Sequence, residues 1–65
     1  MKFLIVYDYD KGKLVQDPKG YDNKQEAWEA YQRAYSKHAD KNYDVSLIDA
    51  KDLGDLKKHW KRYFH

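Results

Sequence analysis

The chain has 65 residues, no cysteine, 37% charged residues and a formal net charge of +2. Such a length holds one domain, residues 1–65, with one small core. The lack of cysteine excludes disulfide staples, and the nearly balanced charge argues against a dedicated polycationic coat for nucleic acid.

Residues 3–9 read as a central strand, because Phe3, Leu4, Ile5 and Val6 put apolar side chains on both of its faces. The same apolar run is far too short for a signal-peptide core or a membrane span, so the expected setting is soluble and cytoplasmic. A turn follows at residues 10–13, where Gly12 is available for a positive φ. Residues 13–16 return as a short edge strand. Residues 17–20 end it, since Pro18 cannot donate to a ladder.

The spacing predicts a helix from Lys24 to about His38. Asn23 suits its N-cap and Glu26 stands at capping-box distance. At about 100° per residue, Ala27, Trp28, Tyr31, Ala34, Tyr35, His38 and Ala39 share the apolar face. A polar turn at residues 40–42 leads to a strand over residues 43–48. There Tyr43, Val45 and Leu47 point one way, Asp44 and Ser46 the other. A second helix begins near Asp52, whose carboxylate can cap it. Leu53, Leu56, Trp60, Tyr63 and Phe64 fall within about 100° of arc, and Lys57, Lys58, Lys61 and Arg62 occupy an adjoining arc of about 140°.

The order is ββαβα. It predicts an α+β fold with a three-stranded antiparallel sheet in the order 2-1-3 and both helices on one face. The opposite face would then be uncovered, and an uncovered apolar face implies a partner, including a second copy of the chain.

Catalytic and metal signatures are weak. Residues 8–12 resemble the start of a calcium loop, but Gly12 stands where the third acidic ligand is needed, Lys13 follows it, and no bidentate Glu stands at the twelfth position. Asp8 and Asp10 share one side of a strand and read as exposed strand-end carboxylates. His38 on the apolar face reads as a structural imidazole. His59 and His65 lack metal-ligand spacing. No base is identifiable for Ser36 or Ser46, and no glycine-rich phosphate loop is present. The sequence therefore predicts no enzyme, no cofactor and no metal.

The remaining feature is the tail. Residues 57–65 hold four of the thirteen Lys/Arg and no acid, leaving nine Lys/Arg against eleven Asp/Glu before them. Three roles compete: closing the core, docking on a protein, and gripping single-stranded RNA or DNA by phosphate contacts and ring stacking. Protein contact through Lys57, Lys58, Lys61, Arg62, Tyr63 and Phe64 is the leading functional expectation, for a small non-enzymatic regulator, inhibitor or accessory subunit. Weak single-strand nucleic-acid binding by the same helix is the alternative.

Overall fold

A computed structural model describes residues 1–39 and 42–64, with Arg62 described by its backbone alone. Most of the turn expected at residues 40–42, and the terminal His65, lie outside the described residues. The elements are β1 (Lys2–Asp8), β2 (Lys13–Leu14), β3 (Lys19–Tyr21), α1 (Lys24–His38), β4 (Tyr43–Asp49), α2 (Leu53–His59) and a 3-10 turn at Lys61–Tyr63. The protein has an α+β fold built on one antiparallel sheet.

Strand β1 is central because its apolar side chains need cover on both faces; Phe3 to Tyr7 are all buried. On one side it pairs along its full length with β4, from Lys2 opposite Asp49 to Asp8 opposite Tyr43. On the other side it pairs with β2 and then β3. Counted as one interrupted edge, these give the expected order 2-1-3. The interruption is a departure from the sequence expectation, in which the chain leaves the sheet for good after residue 16. Tyr7 faces Leu14 and Leu4 faces Lys19, so Ile5 and Val6 lie opposite the four residues 15–18. Pro18 and the two surplus residues break the edge, and the chain re-enters at Lys19. Gly20 there faces Phe3. A Cβ at Gly20 would meet Met1 Sδ and come within 3.1 Å of Phe3 Cε1, so a larger residue there requires the Met1 side chain to move and the Phe3 ring to give slightly.

The β1–β2 turn is held by Asp8. Its Oδ1 accepts the N–H of Asp10 at 2.9 Å and of Lys11 at 3.2 Å, while Gly12 takes a φ of +69°. Asp8 is buried, at 5% exposure, so it is a turn-forming group and not the exposed carboxylate its position suggested.

Helix α1 has the bounds its sequence predicts. Asn23 Oδ1 accepts from the N–H groups of Gln25 (2.8 Å) and Glu26 (3.1 Å). The helix docks by its small residues. Ala27 and Ala30 are buried, and Ala30 and Ala34 pack with Leu4, Val6, Val45 and Leu47. Trp28 and Tyr35, placed on the apolar face by periodicity, are 49% and 57% exposed. They lie about 80–100° around the helix from Ala27. The alanines bring the helix backbone close to the sheet, and rings that wide fit only at the margin.

The two helices pack on opposite faces, which corrects the expectation of a shared face. Leu4 and Val6 point to α1, whereas Phe3, Ile5 and Tyr7 pack with Ile48, Leu56 and Tyr63 on the other side. The cause is the two-sided apolarity of β1. Leaving three such side chains in water would forgo roughly 1.5–3 kcal/mol for each. Among the described residues, neither sheet face is left uncovered for a homodimer to use.

Helix α2 is shorter than its periodicity suggests. Asp52 Oδ1 caps the N–H of Asp55 at 2.8 Å, and the Asp55 carboxylate reaches back to the Lys51 N–H at 3.0 Å. The helix ends at His59; Trp60 takes φ −124° and ψ 51°, and the chain tightens into the 3-10 turn. That bend carries Tyr63 beneath Tyr7, with ring centroids 5.4 Å apart. Leu56 is fully buried, while Leu53, expected beside it, is 39% exposed.

Candidate binding surfaces

The C-terminal segment divides into core and surface. Tyr63 is 4% exposed and its hydroxyl donates to Asp44 Oδ2 at 2.7 Å, so it belongs to the interior. Ser46 Oγ donates to the other oxygen of Asp44 at 3.0 Å. Phe64 is half-buried against the same cluster, with Lys57 Nζ 5.7 Å from its ring centroid. Lys57 and Lys58 are exposed on α2, and Lys61 is exposed on the 3-10 turn. The side chain of Arg62 lies outside the described residues.

Sequence spacing could not show that Lys13 joins this group. Gly12, Lys13 and Leu14 of the hairpin form one wall of an open groove of about 360 Å³, with Lys57, Tyr63 and Phe64 opposite. Two ammonium groups flank an aromatic floor there. Lys58 and Lys61 are not among the described residues that line it. Nearby, Asp55 is held below the usual carboxylate range. The Lys51 N–H bond is the main cause, and the charges of His59, Lys51 and Lys58 add to it against the opposing effect of burial. The His59 Nε2 lies 3.3 Å from Asp55 Oδ1, one helical turn away.

A second surface was hidden inside the apolar stripe of α1. The rings of Trp28 and Tyr31 stack with centroids 5.4 Å apart and an interplanar angle of 17°, and Tyr35 continues the row 6.0 Å from Tyr31. Trp28 and Tyr31 of this row lie beside β4. Trp28 and Tyr31 share an open groove of about 390 Å³ with Val45, Ser46 and Leu47. The spacing of 28, 31 and 35 was visible in the sequence. Its exposure was not, because amphipathic counting assigns large rings to the inside.

The groups weighed for catalysis are engaged structurally. Asp8 holds its turn, Asp10 Oδ1 accepts from Asn42 Nδ2 at 3.3 Å, and His38 packs edge-on against Tyr43 with centroids 4.5 Å apart. Among the described residues, no three His, Cys, Asp or Glu side chains cluster in a way that could hold a metal ion. No helix among them is long and apolar enough to cross a membrane. Compared with known protein families, curated proteins and solved structures, the chain matches none.

Proposed function

We propose that this is a small non-enzymatic binding protein of the cytoplasm that acts by contact with another protein, as a regulator, inhibitor or accessory subunit. The observation that carries the reading is the row Trp28–Tyr31–Tyr35. A chain with mean hydropathy of −1.16 leaves Trp28 and Tyr35 about half in water, and Trp28 lines the groove along β4. Aromatic residues are enriched where protein interfaces form, and contiguous apolar surface on a soluble chain marks interaction sites. The cysteine-free composition suits a reducing compartment. The test is affinity capture with three baits: the native protein, a Trp28→Ser/Tyr35→Ser variant, and a Lys57→Gln/Lys58→Gln/Lys61→Gln variant. The first variant should lose the captured protein and the second should keep it. An aromatic variant that captures the same protein as the native chain refutes the reading.

The groove between Lys13 and Lys57 favours a second reading, weak binding of single-stranded RNA or DNA. Two to four phosphate contacts would give a shallow salt slope of about −0.7 for each phosphate neutralised. Fluorescence anisotropy with a labelled oligonucleotide across a salt series tests it, and binding that ignores salt removes it.

A further inference from the structure

The outer edge of β4 has a regular pattern of unpaired backbone groups. The Tyr9 N–H donates to the Asn42 carbonyl at 3.1 Å and the Ala50 N–H to the Met1 carbonyl at 3.0 Å. With the continuous register between them, these bonds identify the pairs that exchange hydrogen bonds: 7 with 44, 5 with 46, and 3 with 48. The even-numbered residues of β4 are therefore engaged with β1. Tyr43, Val45, Leu47 and Asp49 aim their N–H and C=O groups away from the sheet. Among the described residues, no strand pairs with that side of β4.

Monomeric proteins blunt such edges with proline, lysine or bulges. The opposite edge of this sheet has both a proline and surplus residues. Residues 43–49 have none of these: the segment reads Tyr-Asp-Val-Ser-Leu-Ile-Asp, rich in strand-forming residues and free of lysine and proline.

We propose that β4 pairs antiparallel with β4 of a second copy about a two-fold axis at Ser46, fusing the two sheets into one. The proposal rests on the reading of the α1 aromatic row as a contact surface, and it names the partner. The choice of a second copy follows from register. Because the outward groups belong to odd-numbered residues, a two-fold pairing must set odd opposite odd, which puts the axis at Val45, Ser46 or Leu47. Only the axis at Ser46 keeps all seven residues of β4 paired. In that register Val45 faces the partner's Leu47, Tyr43 faces the partner's Asp49, and Ser46 faces the partner's Ser46. Asp44 faces the partner's Ile48, so no acid opposes an acid, and opposed like charges are what destabilise such pairs. The axis stands perpendicular to the sheet, so both α1 helices lie on the same side of the fused sheet. Each aromatic row then meets its counterpart across the seam. The contact is isologous, as two-fold dimers require.

The test is sedimentation equilibrium from about 1 to 500 µM, a range chosen to bracket micromolar affinity, combined with amide hydrogen exchange by NMR. A monomer–dimer equilibrium is expected. Amides of Tyr43, Val45 and Leu47 should become protected only as concentration rises, while those of Asp44, Ser46 and Ile48 stay protected throughout. Val45→Pro removes one outward N–H without removing a bond to β1, and it should weaken the dimer at least tenfold. Trp28→Ser/Tyr35→Ser alters exposed side chains only and should do the same with the fold intact by circular dichroism. A protein that stays monomeric to 500 µM, or a dimer whose odd-numbered β4 amides exchange freely, overturns the proposal. If such a monomer still captures another protein through Trp28 and Tyr35, protein contact stands and self-pairing falls. If the capture is also indifferent to those residues, both fall.

Discussion

Removing the hydroxyl of Tyr63 tests whether the C-terminal segment is core or surface. In Tyr63→Phe the ring remains beneath Tyr7, and the 2.7 Å bond to Asp44 is lost. A hydrogen bond to a charged group contributes about 1.5–3 kcal/mol. Asp44 is half-buried and keeps its bond from Ser46, so water replaces part of the loss and the expected cost is about 1 kcal/mol. For a domain of this size that lowers Tm by about 4–8 °C. Tyr63→Ala removes the ring as well, at about 3–5 kcal/mol. The whole domain has about 3–10 kcal/mol to lose, at roughly 0.05–0.15 kcal/mol per residue. The alanine variant should therefore lose a large share of the domain's stability. Replacing Lys57, Lys58 and Lys61 by Gln should change stability by no more than about 0.5 kcal/mol at each site. Thermal and urea melts followed by circular dichroism read all three, and a double-mutant cycle with Asp44→Asn isolates the pair. A Tyr63→Ala protein that melts with the native chain would show that the segment does not close the Phe3 face, and the division of the tail into core and surface would be wrong.

Ala30→Leu should overpack the seam between α1 and β1 and cost about 1–3 kcal/mol, read by urea unfolding. Gly12→Ala places a Cβ where no atom lies within 4 Å, yet at φ +69°, so its cost of about 1–2 kcal/mol is purely conformational. Asp55 titrates below its ordinary value in the folded protein, so its contribution to stability is present above about pH 4 and is lost as the pH falls through the folded value. Asp55→Asn should accordingly be less stable than the native chain at pH 7, and the gap between their melting curves should close in acid.

The sequence reading reached furthest where local chemistry decides. Asn23 and Asp52 cap the helices they were expected to cap, the alternation over Tyr43–Asp49 gives the observed faces, and the two-sided run at Phe3 is the central strand. It failed where distance between elements decides. Periodicity ranks residues around a cylinder by hydrophobicity, so it turned Trp28 and Tyr35 inward. The close approach allowed by Ala27, Ala30 and Ala34 turned them out. It also carried the helical arc through Trp60, where the backbone bends and delivers Tyr63 to the face that α1 does not cover. For the same reason spacing could not show that Tyr63 is buried or that Lys13 comes beside Lys57 from a hairpin more than forty residues away in the chain.

The break between β2 and β3 has a consequence for stoichiometry. In the proposed dimer joined through β4, the fused sheet would present only its two interrupted margins to solvent, each with Pro18 and a stretch in which four residues lie opposite two of β1. A third chain finds no regular row of donors and acceptors to extend. In that dimer association would terminate at two, and the irregularity on the far side of the same sheet would keep a strand rich in aggregation-prone residues from seeding a fibril.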